Sequence, residues 1–222
     1  MAKKSFDLTL YLIIGPDATG GRPVEDVTAA AIEGGVTLVQ LRDKTTPDAE
    51  FAALARRLEP LLTAARVPLI VNDRVELARD TGAAGVHLGV DDQPAACARE
   101  ILGPGAIIGV SAGNDEEAAL VEPDLVDYVG CGSVYPTATK ADAGAAIGLE
   151  GLAALRTRLA LPMVAIGGIG PGTAAAVTAQ GVEGIAVVSA ICGAADPAAA
   201  ARSLRTEVER GRAMPQAGAG PG

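Results

Sequence analysis

Thr37-Leu38-Val39-Gln40-Leu41-Arg42-Asp43-Lys44, followed from Pro47 to Ala65 by a helical pattern, is the stretch on which the fold turns. The aliphatic run Thr37–Leu41 predicts a strand of the kind that parallel sheets bury on both faces. Phe51, Leu54, Leu58 and Leu61 then recur at three- and four-residue intervals, which marks one face of a helix. A short charged junction joins the two. The unit is strand, loop, helix.

The unit repeats in both directions. Aliphatic runs stand at Leu8–Ile14, Thr37–Leu41, Leu69–Val71, Gly85–Leu88, Ala106–Val110, Leu125–Val129, Met163–Ile166 and Ile185–Val188. Ala-rich helical patterns separate them, such as Pro171 to Gln180 with Gly181 as its stop. Such a series closes into a barrel or opens into a doubly wound sheet. A barrel needs about 250 residues, with a floor near 200, so the 222 residues here suit one barrel. The doubly wound alternative wants a Gly-rich fingerprint after the first strand, and Gly15 to Gly21 has the wrong spacing. The expectation is an α/β chain forming a single (β/α)8 TIM barrel over residues 1–210. Its last helix runs from Pro197 to about Arg210, and a Gly-, Ala- and Pro-rich tail over 211–222 is expected to be disordered.

Composition agrees. Hydrophobic residues make up 49%, yet aromatics only 2% and Trp is absent, so Val, Ile, Leu and Ala must build the core. The net charge of −9 argues against nucleic acid, which needs clustered Lys and Arg. Cys97, Cys131 and Cys192 are widely spaced and odd in number, giving neither a zinc site nor a disulfide framework. A reducing cytoplasm is expected. Lys3 and Lys4 before the first apolar run resemble a signal peptide, but Asp7 and Thr9 interrupt it and a first strand fits better. No stretch approaches the apolar span of about 20 residues that crosses a membrane. The partners expected are small phosphorylated molecules; a homo-oligomer stays open.

Barrel chemistry collects where strands end. After the second strand, side-chain alternation puts Gln40, Arg42 and Lys44 on one side, a set suited to a diphosphate or to an ordinary solvated loop. Asn72-Asp73-Arg74 follows the third strand and His87-Leu88-Gly89-Val90-Asp91-Asp92 the fourth. Asp73 with Asp91 or Asp92 could share Mg²⁺, or each could cap a helix. His87, the sole histidine, reads better as a residue packed at the rim than as a catalyst. Ser111 offers a hydroxyl to a phosphate or to a turn. The long connection from Tyr135 to Gly144 carries Thr137, Ala138, Thr139 and Lys140 and suits a binding loop. Gly167-Gly168-Ile169 and Val188-Ser189-Ala190 end the last two strands, where barrels often hold phosphate.

In order and spacing these segments resemble the thiamine-phosphate synthase family, from Leu10 to about Ile191. The resemblance implies a Mg²⁺-dependent transferase. It joins an aminopyrimidine methyl diphosphate to a thiazole phosphate, or its carboxylate, and releases pyrophosphate. It implies pyrimidine diphosphate contacts from Gln40, Leu41, Arg42, Asp43, Lys44, Asn72, Ser111 and Lys140. Among these, Arg42, Lys140 and Ser111 would be catalytic. Asp73 and Asp92 would hold Mg²⁺. Thr137, Ala138, Thr139, Gly168, Val188 and Ser189 would bind the thiazole phosphate. Val90 departs from the family, which usually has Gln there. Competing readings are a thiazole tautomerase, which needs no complete diphosphate–metal site, a non-catalytic barrel for thiamine-related phosphates, and other phosphate-binding barrels.

Overall fold

The computed structural model describes residues 6–137 and 145–214. Eight parallel strands close into a barrel in sequence order, β8 pairing with β1. They are β1 (Leu10–Ile14), β2 (Leu38–Leu41), β3 (Leu69–Asn72), β4 (Gly85–Leu88), β5 (Ile107–Ala112), β6 (Tyr128–Cys131), β7 (Met163–Ile166) and β8 (Gly184–Val187). Around them lie α1 (Val24–Glu33), α2 (Asp48–Ala65), α3 (Val75–Thr81), α4 (Ala95–Leu102), α5 (Asp115–Ala119), α6 (Gly148–Arg158), α7 (Ala174–Thr178), α8 (Ser189–Cys192) and α9 (Pro197–Arg212). The repeat read from the sequence is thus the barrel that was expected.

The period-two alternation of strands sorts the core into two bodies. Leu10, Leu12, Val39, Leu41, Val71, Val86, Ile108, Val129, Ala165 and Ile185 face outward and pack against the helices. Tyr11, Ile13, Leu38, Ile70, Ile107, Tyr128, Val164 and Ala186 face inward and fill the barrel. The helices meet the outer body along one stripe. In α2, Phe51, Leu54, Leu58 and Leu62 are buried. Leu62 takes the core position expected of Leu61, because the stripe continues in steps of four.

Several boundaries differ from the sequence reading for local reasons. The sixth run was expected at Leu125–Val129, but β6 begins at Tyr128. The amides of Leu125 and Val126 both donate to Glu122 O, at 3.0 and 3.2 Å, which folds them into a turn. The last helix continues to Arg212, past the expected Arg210. β5 extends to Ala112, so Ser111 lies within the strand rather than after it.

The N-terminal face of the barrel is devoted to stability. Asp127, just before β6, accepts from Arg99 Nη2 and from the Ile108 amide, each at 2.8 Å. Arg99 also donates to the carbonyls of Gly103, Ala106 and Leu125, so one guanidinium ties α4 to the feet of β5 and β6.

Inside the barrel, two glycines make room for rings. Gly109 on β5 is in register with Tyr128 on β6. A Cβ at Gly109 would come within 2.1 Å of the Tyr128 ring, and one at Gly130 within 3.1 Å of the His87 ring. Overpacking of this kind typically costs about 1–3 kcal/mol. Gly109→Ala is therefore expected to lower the urea unfolding free energy by at least about 1 kcal/mol. Gly105→Ala, where a Cβ meets nothing within 4 Å, should leave it nearly unchanged.

Candidate active site at the strand ends

The junction after β2 is a rigid loop. Asp43 accepts from the Thr45 amide (2.9 Å), the Thr45 hydroxyl (3.0 Å), the Thr46 amide (3.0 Å) and the Thr46 hydroxyl. Burial pushes its carboxyl up, but these bonds outweigh burial and hold it at about 2. The carboxylate expected to meet substrate is thus occupied by its own loop. Leu41, also expected there, is fully buried on the outward face, so only its backbone could contribute.

Arg74, which carries no role in the sequence reading, braces this loop. It donates to Asp48 Oδ1 (3.0 Å), Asp43 O (2.8 Å) and Thr46 O (2.9 Å), and stacks 4.6 Å over the Phe51 ring. The brace holds the loop that carries Arg42 and Lys44 beside the end of β3. Lys44 Nζ lies 3.9 Å from Asp73 Oδ2.

Asp73 sits in the left-handed region at φ 60°. For most residues with a Cβ this costs about 1–2 kcal/mol, and less for Asp, whose short polar side chain can bond locally. The strained backbone is pinned by its amide to His87 O (2.9 Å), while the next amide turns back to Asn72 O (2.7 Å). The kink brings the Asp73 carboxyl against that of Asp92. Burial, then the hydrogen bond and the charge of Asp92, raise Asp73 to about 6, against the pull of Lys44 and Arg42. Asp92 is itself fixed by the Gly89 amide, 2.6 Å from its Oδ2. Helix capping, the other reading for both residues, is not what they do: α3 and α4 take no side-chain cap. Asp91 and Val90 are exposed.

The other residues expected on the pyrimidine side line the barrel's interior. Gln40 is almost fully buried and donates from Nε2 to Tyr11 Oη at 2.7 Å. Asn72 is the last residue of β3 and shares that inward parity. Ser111 Oγ lies 3.0 Å from His87 Nε2, and His87 Nδ1 lies 3.0 Å from Tyr128 Oη. His87 is packed, as expected, though inside the barrel: its ring stacks on that of Tyr128 with centroids 5.5 Å apart. It is bonded on both ring nitrogens within the barrel.

On the opposite side the ends of β6, β7 and β8 come together. The amides of Val134 and Tyr135 donate to Ile166 O (2.9 Å) and Gly167 O (3.0 Å), so the segment after β6 runs along the end of β7. Gly168, at φ 65°, leaves no room for a side chain: a Cβ would be 2.7 Å from Pro136 O. Thr137 therefore follows a segment pressed onto Gly168. Ser189 is exposed at the first turn of α8, directly after Val188. Arg22, also unsuspected from sequence, donates to Cys192 O and to Ala194 O (3.0 Å), which places a cation at the C-terminal end of α8 where its dipole favours one. Ala138, Thr139 and Lys140 lie outside the described residues.

The chain matches the family model described as thiamine monophosphate synthase over residues 10–191. It is 52% identical over 207 residues to a thiamine-phosphate synthase of Azorhizobium caulinodans, covering 93% of this chain and 98% of that one. A thiamine-phosphate synthase of Moorella thermoacetica is 48% identical over 203 residues, with 91% and 97% covered. Among solved structures, a thiamine phosphate pyrophosphorylase from Pyrococcus furiosus superposes with a TM-score of 0.83 at 39% identity, covering 92% of this chain and 97% of that one. A 3-hexulose-6-phosphate synthase, at 21% identity, TM-score 0.66 and coverage of 90% and 99%, shares the fold.

The Asp43 loop makes an acid-stability prediction. A carboxyl lowered from 3.8 to about 2 stabilises the fold above pH 3.8 and loses that contribution as pH falls toward about 2. Asp43→Asn should lose about 1–2 kcal/mol at neutral pH. Its gap to the wild type should close across that acid window, as read from urea midpoints at a series of pH values.

Proposed function

The chain belongs to the thiamine monophosphate synthase family and is a transferase of thiamine biosynthesis; from that premise we propose how its strand-end site performs the reaction. The substrates are 4-amino-2-methyl-5-pyrimidinylmethyl diphosphate and 4-methyl-5-(2-phosphooxyethyl)thiazole or its carboxylate. The products are thiamine phosphate and pyrophosphate, with carbon dioxide from the carboxylate. The observation that carries this reading is the Asp73–Asp92 pair set opposite Lys44 and Arg42.

Two carboxyls pressed together, one raised to about 6, are a donor set that a hard divalent cation relieves. Mg²⁺ commonly uses one or two carboxylates and completes its shell with water and substrate phosphate. Asp73 and Asp92 would hold it there, and the charge it supplies offsets that of the diphosphate. Arg42 and Lys44 add cations on the same side, and Lys140 is proposed to join them. Negative charge growing on the departing oxygens then meets fixed donors. As the methylene C–O bond breaks, its electrons leave with pyrophosphate. The electron-rich pyrimidine shares the positive charge left behind, and the thiazole nitrogen forms the new bond to the methylene carbon.

No protein nucleophile enters. Burial pushes the Cys131 and Cys192 thiols up to about 12 and about 11, which keeps them protonated. The thiazole phosphate is assigned to Thr137, Gly168, Val188 and Ser189, with Ala138 and Thr139 proposed to complete its site. A reducing cytoplasm suits three free thiols, of which Cys97 is exposed. Among the described residues no helix is long and apolar enough to cross a membrane.

Purified protein with both substrates and Mg²⁺ is expected to release pyrophosphate and form thiamine phosphate. Excess chelator should abolish turnover, and turnover that persists in chelator removes the metal from the reading. Asp73→Ala should lower kcat/KM by at least about a hundredfold, the size expected when a group that offsets charge in the transition state is lost. Lys140→Ala should lower turnover far more than the thermal midpoint, and equal losses in both would make Lys140 structural.

A further inference from the structure

Five polar side chains inside the barrel form one unbroken chain. It runs from Gln40 on β2 to Tyr11 on β1, Tyr128 on β6, His87 on β4 and Ser111 on β5. The link between Tyr11 Oη and Tyr128 Oη is 2.9 Å. Both ends are residues placed above on the pyrimidine diphosphate, whereas the three middle members have no role in the mechanism so far. Tyr11 and Tyr128 are 1% and 0% exposed, so each phenol proton must find an acceptor inside the barrel. The backbone is thinned for this chain, since Gly109 and Gly130 leave the space that the Tyr128 and His87 rings occupy.

With the Gln40 amide nitrogen turned to Tyr11, those bonds have one order that uses every phenol proton. Gln40 donates to Tyr11 Oη. Tyr11 then donates to Tyr128, and Tyr128 to His87 Nδ1. A ring nitrogen that accepts carries no proton, so neutral His87 carries its proton on Nε2 and donates it to Ser111 Oγ. The Ser111 proton is left for a ligand. Gln40 keeps Oε1 and a second amide hydrogen, an acceptor beside a donor. An aminopyrimidine edge offers the complement, a ring nitrogen beside an amine, much as an amide side chain matches the edge of adenine.

We infer that Tyr11, Tyr128 and His87 are positioning residues for the transfer: their chain sets which hydrogen-bonding groups Gln40 and Ser111 turn toward the heterocycle. Reversing one link would invert what both ends present. The inference rests on the reading of the site as a pyrimidine diphosphate transferase.

Tyr11→Phe and Tyr128→Phe each remove one hydroxyl and keep the ring. In either variant KM for the pyrimidine diphosphate should rise about tenfold, the scale of one hydrogen bond. KM for the thiazole phosphate should hold within about twofold. Adding Tyr128→Phe to Ser111→Ala should cost clearly less than Tyr128→Phe costs alone, because the Ser111 end is already lost and only the Gln40 end remains to be disturbed. Equal changes in both KM values, or full additivity with Ser111→Ala, would overturn the inference. A second measurement needs no substrate. His87 is the only histidine, so its ¹⁵N resonances are unambiguous. At about pH 8.5, above the ordinary imidazole range, the wild type should show the Nε2–H tautomer and Tyr128→Phe a mixture. An Nδ1–H wild type overturns the proposed order. If the wild type releases no pyrophosphate from the two substrates, the functional reading falls and the role toward substrate falls with it; the tautomer still decides the order of the chain.

Discussion

β8 pairs with β1, and everything at the site depends on that closure. A closed parallel barrel has no edge strand, so the alternation of side chains is fixed all the way round. A slip of one residue in any strand would exchange its inward and outward sets. Closure therefore makes Tyr11, Gln40, Asn72, His87, Ser111 and Tyr128 inward residues together, although they come from six different strands. It also makes Leu41, between Gln40 and Arg42, a residue of the outer core.

The interior is filled mostly by aliphatic side chains, as a barrel of this size requires. Polar groups join them, and two of the few aromatics stand in the first half of their strands, Tyr11 second in β1 and Tyr128 first in β6. Only three tyrosines are present, and two of them meet in the barrel. Such groups are costly to bury without partners. The described residues contain no buried side-chain nitrogen or oxygen without one. The polar part of the interior is thus a satisfied network set among aliphatic side chains, which is the condition for holding side chains still beneath a reacting group.

Above that network the strand ends divide the work by charge. Acids from β3 and β4 stand together, opposed by cations from the loop after β2. Bringing two carboxyls together is unfavourable, as the raised Asp73 shows. The left-handed kink at Asp73 adds to that cost, while the Gly89 amide on Asp92 and the Arg74 brace help hold the pair in place. On the far side β7 and β8 supply exposed glycine and hydroxyl positions instead of charge. In the proposed reaction the first side would receive the leaving diphosphate and the second the thiazole phosphate.

The sequence by itself determined the repeat, and through it the number of strands, the buried faces and the chain order of the site segments. Aliphatic runs and helical stripes are local signals, and eight of them in 222 residues leave little room for another architecture. It also determined which residues crowd the strand ends, since Gln40 to Lys44, Asp73 and Asp92 stand beside the runs that form strands. Tertiary structure alone decided how those residues are used. Asp43 and Lys44 are neighbours of opposite charge in sequence, yet one closes its own loop and the other faces Asp73. Tyr11 and Tyr128 are 117 residues apart and read as core aromatics until closure brings their hydroxyls together. Arg74 and Arg22 gave no local signal because most of their acceptors are backbone carbonyls of distant loops. Local pattern carries the periodicity of burial; the direction of a hydrogen bond depends on partners that only the closed barrel supplies.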